Sequence, residues 1–159
     1  MENFYYIGQT NVGKGLFAKR LIRKGEKILK FSGKIVSGKE AEKLDLENYG
    51  LSMGNPLQIG KDKYIYLEEP GRIINHSCNP NAGIVNDVYL VAIKNIKKGE
   101  EIRYDYSPAM DEDDWTMQCK CGEKNCRGVV KDFKYLPEKV QKKYLNLGVV
   151  QRFIAKKFA

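Results

Sequence analysis

Histidine is nearly absent from this chain: among its 159 residues only His76 is present. A single histidine excludes a metal centre with several imidazole ligands and leaves one candidate for a histidine-assisted nucleophile. The nearest thiol belongs to Cys78, which a metal site would also need. A hydrolase is therefore a poor interpretation, and a structural or backbone-contact role for His76 is favoured.

Long apolar runs and a secretion signal are also lacking. No stretch approaches the ~20 apolar residues that cross a bilayer, so we expect no membrane partner. Residues 1–7 show no basic segment, no apolar run and no small-residue cleavage site, so we expect no secretion. Hydrophobic content of 42% is ordinary for a globular domain.

The charge is unevenly distributed. Lysine and arginine number 28 against 20 acidic residues, a net charge of +8, and residues 131–159 alone carry eight basic and two acidic side chains. Such a basic tail suits nucleic acid or an acidic partner, or is simply a solvated helix face. The acidic run at 111–114, Asp-Glu-Asp-Asp, is either a receptor for a basic ligand or an exposed loop.

Short strands punctuated by glycine predict a mainly β fold with short helices. The candidate strands are 4–7, 15–18, 27–31, 34–36, 57–60, 64–67, 88–93 and 101–104. A short helix is predicted over 37–44, with Ser37 as its N-cap and Glu40 three residues on. Near the C-terminus, Pro137 opens a helix through Tyr144 that ends at Gly148.

All four cysteines fit one metal site. Cys78 stands alone, and the other three form the cluster Cys119-x-Cys121-x4-Cys126. Four thiolates complete a tetrahedral zinc site, which we favour over two disulfides and over four unrelated buried thiols. Zinc binding would pin the cluster to the stretch around His76.

Two further patterns have competing interpretations. Gly13-x-Gly15 indicates a place where backbone comes close to a ligand or to a neighbouring strand. Tyr104 and Tyr106 share a face if they lie on a strand, where they serve either as packing or as an aromatic slot for an ammonium group.

Read in order, these motifs resemble the SET-domain protein lysine methyltransferases with a post-SET zinc motif. The segments that carry the resemblance are Gly13-Lys-Gly15-Leu-Phe-Ala, Phe31-Ser-Gly33, Arg72-Ile-Ile-Asn75-His76-Ser77-Cys78-Asn-Pro80-Asn81, Gly99-Glu-Glu-Ile-Arg-Tyr104-Asp105-Tyr106 and Cys119-x-Cys121-Gly-x3-Cys126-Arg-Gly. They run from Gly13 to Gly128 in the family's order.

The resemblance implies a fold of small β-sheets with a pseudoknot, a zinc knuckle and a C-terminal helix. The implied units are a SET domain at 1–110, the knuckle at 111–130 and a basic helical tail at 131–159. It also implies one structural zinc ion and S-adenosylmethionine. The implied cofactor contacts are Lys14, Gly15, Tyr49, Asn75 and His76; the implied residues around the reacting lysine are Tyr106, Tyr104 and Phe31.

The implied partner is a lysine-containing basic protein or peptide such as a histone, with weak nucleic-acid contact through the tail as a further option. The location is then the cytoplasm, or the nucleus if the substrate is chromatin. Phe31, Lys34 and Ile73 depart from the family pattern, and Phe31 lacks a hydroxyl that bears on methyl number. The competing hypothesis is a non-catalytic SET-like module that binds lysine-rich tails or nucleic acid.

Overall fold

The computed structural model describes residues 3–50 and 56–159. Three three-stranded sheets and one two-stranded ribbon contain its strands, and all strand pairs within them are antiparallel. The first sheet has the order β1 (Tyr5–Thr10), β2 (Gly13–Ala18), β9 (Glu101–Ile102). The second has the order β3 (Lys27–Lys30), β8 (Tyr89–Ala92), β7 (Ala82–Val85). The third has the order β4 (Gly33–Val36), β6 (Lys63–Leu67), β5 (Leu57–Gly60), and the ribbon joins β10 (Met117–Gln118) to β11 (Val129–Val130).

The helices are short. They are α1 (Gly38–Tyr49), α2 (Glu138–Leu147) and α3 (Arg152–Ala155), with 3-10 turns at Gly71–Ile73, Ser107–Ala109, Phe133–Tyr135 and Lys156–Phe158. The N-cap of α1 is as predicted, because the Ser37 hydroxyl accepts from the Glu40 N–H at 3.2 Å. α1 continues five residues beyond the predicted end. α2 follows Pro137 and ends at Gly148, whose φ of 71° is left-handed, as predicted.

The mainly β prediction is confirmed, with local errors. The candidate strands did not include β7, β10 or β11, and β9 stops at Ile102, so Tyr104 and Tyr106 do not lie on a strand. Among residues 3–50 and 56–159, no helix is both long enough and apolar enough to cross a membrane.

Two apolar clusters form the core. The larger one joins the three sheets and includes Leu16, Ile22, Phe31, Leu90 and Ile102. The second is built mostly from the C-terminal segment, around Phe133, Tyr144 and Ile154, and Val85 and Ile93 pack against it. The basic tail therefore docks against the second sheet through its apolar face.

Candidate functional site

Two distant segments cross at the centre of the molecule. Tyr104 forms parallel bridges with His76 and Ala82. Its N–H donates to the Asn75 carbonyl oxygen at 3.3 Å, and its own carbonyl oxygen accepts from the Ser77 N–H at 3.1 Å. These bonds fix the Asn-His-Ser-Cys segment beside the tyrosine pair.

The predicted tyrosine pair meets at this crossing. The ring centroids of Tyr104 and Tyr106 lie 4.9 Å apart with planes inclined by 48°, and Phe31 packs edge-on against Tyr104 at 5.7 Å. The Tyr106 hydroxyl donates to the Ile74 carbonyl oxygen at 2.6 Å, which leaves its lone pairs available as acceptors. Burial raises the pKa of both tyrosines, and the Glu101 carboxylate raises that of Tyr106 further. Both hydroxyls are therefore neutral near pH 7.

His76 is committed to contacts inside the protein. Its Nδ1 accepts from the Tyr106 N–H at 3.0 Å, so the ring proton belongs on Nε2, which faces Cys78 Sγ at 3.3 Å. Burial lowers the pKa of His76 to about 4, the strongest influence on the ring. The side chain thus joins the tyrosine segment to the cysteine cluster, in line with the structural role.

Gly15 lies where backbone and side chains approach closely. Asn75 Nδ2 donates to the Lys14 carbonyl oxygen at 2.9 Å and to Glu101 Oε1 at 2.8 Å. A Cβ on Gly15 would lie 2.5 Å from Glu101 Oε1 and 3.2 Å from Asn75 Nδ2. The structure thus brings three predicted cofactor residues together around Glu101, which was not among the predicted site residues although it lies in a recognised motif.

Tyr49 lies at the end of α1. Its ring centroid is 5.4 Å from the guanidinium carbon of Arg72, and Arg72 itself lines a large cavity next to the tyrosine pair. Tyr49 is therefore linked to the site through Arg72.

That cavity, which we call the acidic groove, has a volume of about 630 Å³. Tyr104, Tyr106 and Ile74 line it together with residues of α1, β5 and the loop after residue 109. Its carboxylates outnumber its two cations, Lys61 and Arg72; they are Glu42, Asp45, Asp62, Asp111, Glu112 and Asp114. A groove of this charge favours a cationic ligand.

The acidic run at 111–114 is divided by the fold. Asp111 and Asp113 pair with Lys157 and Lys134 of the tail. Asp111 also lines the acidic groove, together with Glu112 and Asp114, and burial raises the pKa of Glu112. Only part of the run therefore remains to meet a ligand.

All four cysteines gather at one place. Their Sγ atoms lie within 4.8 Å of one another, and Cys78 Sγ is 3.7 Å from Cys119 Sγ. A tetrahedral zinc–thiolate site with bonds of about 2.3 Å puts its sulfur atoms about 3.8 Å apart, so the donor set and its spacing fit that metal. A disulfide requires a separation of about 2.05 Å instead.

Backbone donors surround these sulfur atoms. The Arg127 N–H points at Cys78 Sγ at 3.4 Å. Burial raises the pKa of Cys78 and Cys119, and it acts to raise that of Cys121 too. Hydrogen bonds from the backbone N–H groups of Cys78 and Glu123 and from the Cys119 and Cys126 thiols nevertheless lower the pKa of Cys121 to about 7. Donors of this kind stabilise thiolates, the form that binds a metal.

The family of the chain follows from comparison with known sequences. Residues 13–107, more than half of the 159, match the family model described as SET domain. The chain belongs to the SET-domain family. In an alignment 141 positions long, this SET-domain chain is 30% identical to Histone-lysine N-methyltransferase trr of Drosophila melanogaster, and the match covers 79% of this chain and 6% of that protein. Its curated relatives are much longer, and it spans only 2–13% of their length.

Solved structures show the same fold. The methyltransferase domain of human Histone-lysine N-methyltransferase SETMAR matches with a TM-score of 0.64 at 22% identity, covering 83% of this SET-domain chain and 59% of that one. Polycomb Repressive Complex 2 of Chaetomium thermophilum, in an autoinhibited conformation with S-adenosylmethionine bound, matches with a TM-score of 0.56 at 23% identity. That match covers 70% of this chain and 16% of the other.

Proposed function

We propose that this SET-domain protein is a protein-lysine N-methyltransferase that uses S-adenosylmethionine to methylate a lysine of a basic protein such as a histone. The observation that carries the proposal is the pair Tyr104 and Tyr106, which lines the acidic groove and is held against the Asn75 segment. A lysine side chain fits a groove that is lined by carboxylates and contains neutral tyrosine hydroxyls.

Methyl transfer to a lysine depends more on aligning the amine with the methyl group than on a general base. A free lysine has a pKa near ~10.4, and its attack on a methyl carbon requires the uncharged amine. Burial next to a positive charge lowers that pKa, so the proton leaves to solvent before transfer. The Tyr106 hydroxyl, fixed by Ile74, then orients the amine through its free lone pairs.

The residues around Gly15 suit the cofactor. S-adenosylmethionine supplies, when bound, a methyl group on a positively charged sulfonium, so that the carbon–sulfur bond breaks as the carbon–nitrogen bond forms. Negative charge at Glu101 and the two tyrosine rings favour such a cation. The proposed contacts of the cofactor are Lys14, Gly15, Asn75 and the backbone of His76. Tyr49 is assigned to the same site because its ring contacts Arg72.

Cys78, Cys119, Cys121 and Cys126 are proposed to hold one structural zinc ion. Their spacing supports the assignment, as described above. We further propose that residues 1–110 form the SET unit, 111–130 the zinc knuckle and 131–159 the tail.

The alternatives are a non-catalytic binder and a nucleic-acid protein. A binder has no need of a fixed hydroxyl at Tyr106. The hypothesis that the tail binds nucleic acid is less well supported, because half of the tail's eight cations pair with carboxylates. These cations are Lys134, Lys142, Arg152 and Lys157. We propose action in the nucleus if the substrate is a histone, and in the cytoplasm otherwise.

The test combines cofactor binding with turnover. Calorimetry measures S-adenosylmethionine binding, and release of S-adenosylhomocysteine in the presence of lysine-rich peptides measures transfer. Tyr106→Phe should bind cofactor normally and lose about a hundredfold in kcat. Tyr89→Phe, a half-buried tyrosine on β8 whose ring contacts Lys27, is the matched control. Equal turnover by the wild type and Tyr106→Phe would refute the assignment.

A further inference from the structure

Asp105 is a buried carboxylate between the two site tyrosines, and it has four donors. Its side chain is 1% exposed. The two terminal nitrogens of Arg127 donate to its two oxygens at 2.8 Å each. The Tyr144 hydroxyl donates to Oδ2 at 2.8 Å, and the Ser107 N–H donates to Oδ1 at 3.0 Å.

Three of these four donors, from the two residues Arg127 and Tyr144, lie outside the matched SET region, which ends at residue 107. Arg127 directly follows the cysteine ligand Cys126, and its own N–H faces Cys78. Tyr144 lies on α2, and its side chain is fully buried in the C-terminal apolar cluster. The Asp105 carboxylate is therefore bonded both to a residue next to the cysteine cluster and to a residue of helix α2.

The neighbours of Asp105 explain why this matters. Tyr104 precedes it and Tyr106 follows it, so a shift of the Asp105 backbone moves both rings. A buried carboxylate that loses a donor reorients towards its remaining partners, since an unsatisfied charge inside a protein is costly. Displacements of about 1 Å at a reacting centre can cost as much as a hundredfold in rate.

We propose that Tyr144 and Arg127 are positioning residues which, through Asp105, hold Tyr104 and Tyr106 in their catalytic arrangement. The inference rests on the proposed function and extends it. Helix α2 then contributes to the arrangement of the site as well as to the packing of the core. Neither side chain touches the substrate; each acts through the shared carboxylate.

Tyr144→Phe is the decisive variant, because it removes one hydroxyl and keeps the ring. Well below its melting temperature, it should lose about tenfold in kcat with the KM for peptide little changed. Tyr135→Phe is the matched control, because that tyrosine is 59% exposed and is not among the residues that line the acidic groove. It should leave kcat unchanged.

A double-mutant cycle tests whether the two residues share one route. Combined with Arg127→Lys, Tyr144→Phe should cost less than its effect alone, because both act on Asp105. Tyr135→Phe and Arg127→Lys should be additive. Full additivity of Tyr144→Phe and Arg127→Lys would overturn the shared route.

Hydrogen exchange provides a readout that does not depend on activity. In Tyr144→Phe the N–H groups of Tyr106 and Ser107 should exchange faster, while those of β3 and β8 keep the wild-type rate. A uniform increase, or none, would overturn the inference. If the wild type fails to transfer methyl groups yet Tyr144→Phe shows this local change, the proposed function fails and the positioning by Tyr144 stands.

Discussion

Replacing Gly15 by alanine tests the cofactor site most specifically. An added Cβ would lie 2.5 Å from Glu101 Oε1, whereas ordinary contact begins at 3.4 Å. The Glu101 oxygen must therefore retreat from the Cβ by about 0.9 Å, and the Thr10 methyl at 2.8 Å must also give way, which strains the hydrogen bond that the Asn75 amide now donates to Glu101 at 2.8 Å. The second bond of that amide, to the Lys14 carbonyl oxygen, is disturbed with it.

Complete loss of that bond sets an upper bound on the magnitude. A hydrogen bond to a charged group is worth about 1.5–3 kcal/mol net. Since the Glu101 side chain is 19% exposed and water replaces part of the loss, about 1.5 kcal/mol is expected. If cofactor binding requires the native Asn75 arrangement, the dissociation constant for S-adenosylmethionine rises about tenfold.

Calorimetric titration of S-adenosylmethionine is the assay, with Gly60→Ala as the matched control. At Gly60 a Cβ would meet only Lys63, at 3.4 Å, so the dissociation constant should not change. The melting temperature of Gly15→Ala should fall by a few degrees, roughly 2–4 °C per kcal/mol. An unchanged cofactor affinity together with that lower melting temperature would refute the reasoning, because Gly15 would then serve packing alone.

Three further predictions concern methyl number, metal and substrate. Tyr104→Phe removes a hydroxyl beside the amine site, so it should raise the proportion of higher methylation states in mass spectra of product peptides; the wild-type distribution would contradict this. Cys126→Ser should abolish stoichiometric zinc in elemental analysis and make the surrounding loop protease-sensitive, and full zinc content would show that this thiol is not a ligand. Glu112→Lys should raise the peptide KM several-fold by reversing charge in the acidic groove, whereas Asp113→Lys, at a carboxylate paired with Lys134, should change it little; equal effects would argue against groove binding.

Much of the architecture could be read from local signals. Ser37 and Gly148 marked helix ends because capping chemistry is local. Strand β7 was missed because Ala82-Gly-Ile-Val is short and owes its conformation to pairing with β8, which is a tertiary effect. The tyrosine pair was expected on a strand, but the bridges of Tyr104 to His76 and Ala82 bring it together instead.

The site was only partly predictable for the same reason. The cysteine set could be proposed from spacing and donor chemistry, and its members do meet. Asp105, Arg127 and Tyr144 gave no comparable signal, because a buried aspartate is recognised only when its donors, up to 39 residues away, are seen around it. The division of the acidic run between Lys134, Lys157 and the groove likewise depends on where the tail docks.

The central claim is tested most directly by mass spectrometry with S-adenosylmethionine that carries a deuterated methyl group. Zinc-loaded protein is incubated with histones, ribosomal proteins and DNA-binding proteins, with Tyr106→Phe in parallel. We predict that deuterated methyl groups appear on lysine side chains alone and disappear in the variant. Labelled residues other than lysine, or no label on any lysine of the panel despite bound cofactor, would contradict the account.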